Sequence, residues 1–170
     1  MSDRPHVVVY TDGACNGNPG PGGYAAVLLD DGRRSEISGG RRLTTNNRME
    51  ILAAVAALET LARPCRVTVH SDSQYLVEAV MKGWAARWRA NGWKRNRSEF
   101  AVNTDLWRRL LDLCAVHDAE FVWVRGHAGD VENERCDRLA VAACRVDNLP
   151  ADDGYERQLA AAASQPSLFT

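Results

Sequence analysis

Val7-Val8-Val9-Tyr10-Thr11-Asp12-Gly13 is too short an apolar run for a helix and is rich in β-branched residues, so it reads as a buried strand. It ends in an acid and gives way to a glycine-rich turn over residues 13–23. A carboxylate at the end of a core strand, beside such a turn, lies where ligands of a sheet commonly bind. A plain turn residue is the ordinary reading of one such acid, so the surrounding chain has to decide.

A second run of the same kind follows. Arg66-Val67-Thr68-Val69-His70-Ser71-Asp72 is again short and β-branched and again ends in an acid, with Ser73-Gln74-Tyr75 opening a helix behind it. Between the two runs the period changes. Met49, Leu52, Ala53 and Ala56, with Val55 on the flank, recur at helical spacing until about Leu61, and Pro64 stops the helix. Strand, helix, strand in that order points to parallel pairing of the two strands. Asp12 and Asp72 would then share one end of the sheet, with Glu50 of the intervening helix nearby. Such a cluster of like charge costs stability unless a cation neutralises it. Glu50 has a second, compatible reading as the capping-box partner of Asn47.

The remaining elements build outward from this unit. Gly23–Leu29 reads as a strand, Asp30-Asp31-Gly32 as a hairpin turn, and Arg34–Leu43 as a more exposed strand, which makes an antiparallel meander of three. Asn103-Thr104-Asp105 opens an amphipathic helix with Leu106, Leu110, Leu113 and Cys114 on one face, and Trp107 reads as core. Ala119–Val124 is a fifth strand that runs into Arg125-Gly126-His127-Ala128-Gly129, a histidine in a glycine-bounded loop. On the last helix Asn133 and Asp137 are four apart and share a face. The class is α/β: a mixed five-stranded sheet flanked by helices.

At 170 residues, 45% hydrophobic and 25% charged, the chain suits one globular domain with an adequate core. Residues 1–5 hold no apolar h-region, so no signal peptide is expected, and no apolar run approaches a membrane span. The five cysteines are an odd number without a C-x-x-C pair, which suits free thiols in a reducing cytoplasm and argues against structural zinc. A monomer is expected.

Net charge is −1, but it is unevenly spread. Met81–Arg97 holds six basic residues (Lys82, Arg87, Arg89, Lys94, Arg95, Arg97) and no acid, interleaved with Trp84, Trp88 and Trp93. Cations meeting phosphates beside indoles that pack on sugars or bases would suit a nucleic acid. A short helix with its tryptophans in the core beneath a solvated basic face fits the segment equally well.

Taken together these blocks resemble ribonuclease H of the bacterial type 1 family. The resemblance rests on Thr11-Asp12-Gly13-Ala14-Cys15, Asn18–Tyr24, Thr44-Thr45-Asn46-Asn47-Arg48-Met49-Glu50, Thr68–Tyr75, Trp84–Lys94, and Trp123–Gly129 through Glu132–Asp137. They appear in the family's order over roughly the first 145 residues. The resemblance implies a ribonuclease H-like fold of three antiparallel strands leading into two parallel ones. It also implies that Asp137 joins Asp12, Glu50 and Asp72 as a catalytic, metal-binding set. Four carboxylates without Cys or His ligands suit magnesium, with manganese as a substitute, rather than zinc. Two ions about 4 Å apart would clamp the scissile phosphate of an RNA–DNA hybrid, leaving 5′-phosphate and 3′-hydroxyl ends on the RNA. His127 resembles the loop histidine that assists proton transfer or product release. The family's cellular task is removal of RNA primers and R-loops.

The same resemblance implies substrate contacts. Cys15, Asn16, Glu50 and Gln74, with Asn46 and Asn47 in the neighbouring block, would border the RNA strand, which is marked by its 2′-hydroxyls. The DNA strand would lie against Trp84, Trp88 and Lys94, with a phosphate near Thr45 and Asn103. Leu43 departs from an arginine of some relatives, and Asp130-Val131 from the His-Pro expected after Gly129.

The catalytic match implies a domain over residues 1–148. Residues 149–170 read as a mobile, acidic tail, with Asp152-Asp153-Gly154 and an alanine run at 160–163. The tail ends in Gln165-Pro166-Ser167-Leu168-Phe169-Thr170. Gln165, Leu168 and Phe169 are similar to the short peptides that bacterial replication proteins insert into the sliding clamp. Two other functions stay open from sequence: a hybrid-binding module without catalysis, which would need a missing acid, and a related integrase or junction resolvase, which the tryptophan-rich basic segment disfavours.

Overall fold

The computed structural model describes residues 3–164. Five strands, β1 (His6–Cys15), β2 (Gly20–Asp30), β3 (Arg33–Thr44), β4 (Arg66–Ser71) and β5 (Asp118–Trp123), form one sheet in the order β3-β2-β1-β4-β5. β1 pairs antiparallel with β2 and parallel with β4, and β5 continues the parallel side. The β2–β3 hairpin turns on Asp31 and Gly32, both at positive φ (47° and 76°), the backbone that a two-residue turn between twisted strands demands.

Among the described residues six helices flank the sheet: α1 (Asn46–Glu59), α2 (Gln74–Met81), α3 (Trp84–Ala90), α4 (Thr104–Val116), α5 (Val131–Cys144) and α6 (Asp153–Ala163). α1 is apolar nearly all round, with Met49, Ile51, Ala53, Ala54, Val55, Ala57 and Leu58 all fully buried. It carries the chain from β3 across to β4 and packs on β1, beside which β4 lies parallel as expected. The main core gathers Val7, Val9, Val67, Val69, Leu76, Trp107 and Leu110 around it. On the opposite face of the sheet a smaller cluster, Ala25, Val27, Cys136 and Ala140, seats α5.

Three expectations need correction. β1 does not end at Asp12. It runs to Cys15 because its antiparallel pairing with β2 continues to Cys15–Gly22, whereas its parallel pairing with β4 stops at Thr11–Ser71. Glu50 does not close a capping box with Asn47. Thr45 is the N-cap, its hydroxyl accepting from the Arg48 amide at 3.3 Å, and Glu50 is buried deeper in the helix.

The third concerns the tail. Where composition predicts a mobile linker, residues 153–163 are helical. Asp152 caps α6 by accepting from the Tyr155 amide at 3.2 Å, and Tyr155 is buried. Glu156 takes two bonds from Arg42 at 2.8 Å each. Asp152 and Glu156 are the counter-charges of Arg48 and Arg42, more than a hundred residues away in the chain. Gln165, Leu168 and Phe169 lie outside the described residues.

No helix among the described residues is long and apolar enough to cross a membrane.

Candidate active site

β1 sits at the centre of the sheet, and beyond Thr11–Ser71 it parts from β4. The next residue on each strand is an acid, Asp12 and Asp72, so the crevice opened by the divergence is lined from both sides. The first turns of α1 supply a third, Glu50. One carboxylate oxygen from each of Asp12, Glu50 and Asp72 lies within 4.8 Å of the others. The contact depends on Gly13, where any Cβ would fall 2.5 Å from the Glu50 amide nitrogen and 2.7 Å from the Met49 carbonyl carbon. Only a residue without a side chain lets β1 and the start of α1 approach this closely.

Asp12 and Glu50 are each 4% exposed. Burial, followed by the charge of Asp72, pushes the Asp12 carboxyl up to about 8, although the Gly13 amide donates to it at 2.9 Å. Glu50 is raised well above the usual carboxylate range by burial, then by the charges of Asp12 and Asp72. Its Oε2 is buried without a hydrogen-bond partner. Clustered acids that resist ionisation, one with an orphaned oxygen, form a hard, all-oxygen donor set. Such a set fits magnesium or manganese and lacks the nitrogen and sulfur ligands that zinc selects.

Asp137 is not a member of the tight triad. It stands on α5, near enough that its charge also raises Asp12. His127 is exposed in the loop after β5 with φ 55°. That loop passes directly over the site, since a Cβ on Gly126 would lie 2.8 Å from Asp72 Oδ2. Trp123 Nε1 donates to the Asp72 carbonyl at 3.1 Å and ties the loop's root to the same residue. Asp130 caps α5, accepting from the Glu132 and Asn133 amides at 3.1 Å each, so the departure from His-Pro supplies a helix start.

The other sequence-predicted residues surround this crevice unevenly. The Cys15 thiol is half-buried and turned to the carbonyls of Gly20 and Thr44. Asn16, Asn47 and Gln74 are exposed, and Asn46 is half-buried with its amide donating to Asn18 Oδ1. Thr45 spends its hydroxyl on the α1 cap. Asn103 is buried at φ 63°, and its Oδ1 accepts from Arg48 at 3.4 Å.

In the basic segment both readings have support. Trp88 packs edge-on against buried Trp107 with centroids 6.0 Å apart, and Trp84 is half-buried. The cations, Lys94 included, are exposed, though Arg89 is engaged by Asp112 at 2.8 Å.

Two residues of consequence escape a reading of the sequence. Arg48 is 1% exposed and bonded to Asp105 and Asp152. Its one available signal is a lone arginine inside an otherwise apolar helix face. For Asp152, a counter-charge 104 positions away, there is none.

A mixed sheet in this strand order, with acids converging where its central strand parts from a parallel neighbour, defines a ribonuclease H-like fold and a metal-dependent nuclease site. The RNase H family model matches residues 4–145, and the chain belongs to that family. It is thus a metal-dependent endoribonuclease. Its curated relatives include Ribonuclease H of Rippkaea orientalis, 60% identical over 93% of this chain and 98% of that one. Ribonuclease H of Syntrophus aciditrophicus is 65% identical over 89% of this chain and 88% of that one. Ribonuclease HI of a Synechocystis species is 55% identical over 91% and 98%. Among solved structures, LC9-RNase H1, a type 1 RNase H with the type 2 active-site motif, superposes with a TM-score of 0.75 at 32% identity, covering 94% of this chain and 83% of that one. LC11-RNase H1 in complex with RNA/DNA hybrid gives 0.62 at 26% identity, over 81% and 96%.

Proposed function

We propose that this enzyme hydrolyses the RNA strand of RNA–DNA hybrids by two-metal-ion catalysis, with Asp12, Glu50, Asp72 and Asp137 as the metal-holding residues. The observation that carries the reading is the buried triad of Asp12, Glu50 and Asp72 within 4.8 Å, with the orphaned Glu50 Oε2. Magnesium held by these carboxylates would supply Lewis-acid activation of water and charge neutralisation at the phosphate.

The chain's own residues do the rest. Asp12, at the point where the strands diverge, feels the charges of both Asp72 and Asp137 and would be the central acid of the set. Asp72 and Glu50 hold the α1 side, and Asp137 closes the set from α5. His127, exposed in the loop whose Gly126 lies against Asp72, assists proton transfer or product release. The RNA strand runs past Cys15, Asn16, Asn46, Asn47 and Gln74, and the DNA strand runs over Trp84, Trp88 and Lys94 toward Thr45 and Asn103. With its Oδ1 held by Arg48, the Asn103 amide NH2 is left to donate to a phosphate.

Five free thiols support a reducing cytoplasm as the place of action, where the enzyme works as a monomer on primer RNA and R-loops. The 165–170 peptide is proposed to dock on the replication sliding clamp. Binding of a labelled 160–170 peptide, lost on Leu168→Ala/Phe169→Ala, is its test.

The deciding experiment is digestion of a labelled hybrid, an RNA duplex and a DNA duplex by wild type and Asp72→Asn in magnesium or manganese. Cleavage of the hybrid's RNA strand by wild type alone is expected. An intact hybrid with well-folded wild type would overturn the proposal.

A further inference from the structure

Among the described residues Arg48 is the most deeply buried charged side chain, at 1% exposed, and it stands two residues before Glu50. Its Nε and Nη2 donate to Oδ2 and Oδ1 of Asp152, each at 2.8 Å, in a bidentate pair. Its Nη1 and Nη2 also reach Asp105 at 2.9 and 2.7 Å. Asp152 is itself fixed, accepting from the Thr44 hydroxyl at 2.7 Å and capping α6. Burial works against the charge on Asp152, but Arg48 and Thr44 outweigh it and hold the carboxyl below its usual range. One guanidinium therefore joins the start of α1, the start of α4 and the C-terminal segment, and the segment lies beyond the residues 4–145 that the family model matches.

The first turns of α1 need such an anchor. The Glu50 carboxyl is pressed toward Asp12 and Asp72, and its backbone has no slack against Gly13 of β1. We infer that Asp152 is a positioning residue for the metal site: by fixing Arg48 it fixes the α1 backbone that presents Glu50 to Asp12 and Asp72. This rests on the metal-site reading proposed above. Without the Asp152 charge, Arg48 keeps one carboxylate partner, Asp105, whose side chain is 45% exposed. A buried guanidinium that loses its buried partner is drawn toward the remaining one and toward water, and the helix start moves with it.

The test compares Asp152→Asn with Val67→Ala in the full-length chain. Val67 is fully buried near the start of β4, away from the crevice, so its truncation lowers thermal stability without touching Arg48. Two readouts are taken without substrate: Mn2+ affinity by calorimetry, and deuterium uptake of the 46–52 amides. Asp152→Asn should weaken Mn2+ binding about tenfold, as loss of an orienting partner behind a metal ligand does, and should speed exchange over 46–52. Val67→Ala should leave both at wild-type values.

Wild-type Mn2+ affinity in folded Asp152→Asn, or equal weakening in Val67→Ala, overturns the inference. If the asparagine variant does not fold, Asp152→Glu takes its place, keeping the charge but misplacing it by a methylene. Weakened Mn2+ binding with faster exchange over 46–52 then supports the inference, and wild-type affinity overturns it. Failure of wild type to bind Mn2+ at all would instead overturn the metal-site reading.

Discussion

Gly13 and Glu50 meet backbone to backbone across the β1–α1 contact, at a separation that excludes even a methyl group. Gly13→Ala should therefore push the α1 start away from β1. The expected cost is about 1–3 kcal/mol of stability, typical of overpacking a tight site. Mn2+ affinity should fall as well, because Glu50 moves with the helix. Chemical denaturation and calorimetry measure the two effects; unchanged affinity would detach Gly13 from the site.

The raised acids fix a pH dependence. Asp12 holds its proton up to about 8 in the folded chain, whereas an unfolded aspartate releases it near pH 4. The folded state thus binds more protons between these values. Metal-free stability should fall as pH rises through that window, since Asp12 and Glu50 are forced to ionise while buried against one another. A divalent ion competes with those protons, so the rise in Tm on adding magnesium should be larger at about pH 8.5 than at about pH 6. Thermal melts at the two pH values decide the matter, and an equal rise at both would contradict the assigned acids.

Asp12→Asn removes the central acid. Hydrolysis should drop about 10³-fold or more, while hybrid binding largely survives. At alkaline pH the metal-free variant should melt higher than wild type, because one of the repelling charges is gone. Substantial residual turnover would remove Asp12 from the chemistry.

His127→Ala should lower turnover by about 10²–10⁴-fold, the usual range for a proton-transfer group, with little change in hybrid affinity. Single-turnover kinetics beside a binding isotherm separates the two. Turnover at the wild-type level would leave His127 as an exposed loop residue only.

Joint neutralisation of Arg87, Arg89 and Lys94 should weaken hybrid binding and reduce its salt slope by about 2 to 3, one phosphate contact each. Arg89 is already paired with Asp112, which favours the lower figure. A salt slope identical to wild type would make the segment solvated surface.

The β1–α1–β4 unit is legible in the sequence because its information is local: two β-branched runs ending in acids, with an apolar helix between them. The meander, the fifth strand and the buried Trp107 follow from the same local patterns. The end of β1 is not legible, because Asp12-Gly13 looks like a turn and only pairing with β2 keeps the strand going to Cys15. Thr45 is hidden because its neighbours Thr44, Asn46 and Asn47 are equally capable capping side chains. α6 is concealed because Asp152 and Glu156 find their arginines across the fold, and no window of sequence contains both partners of either pair. Asp137 becomes a candidate only through the family resemblance, as an acid on a helix carries no mark of what it faces.

The exposed turn at Arg95-Asn96-Arg97-Ser98, between α3 and α4, divides the chain unevenly with respect to its chemistry. Asp12, Glu50 and Asp72 lie before it; His127, Asp137 and the Arg48 partners Asp105 and Asp152 lie after it. A nick there would leave the leading piece with three crowded acids and an unneutralised guanidinium, and the trailing piece with the counter-ions and the fourth acid. Neither half is self-sufficient, and each supplies what the other lacks in charge. Strand scission of a hybrid by a mixture of the two would report their reassembly.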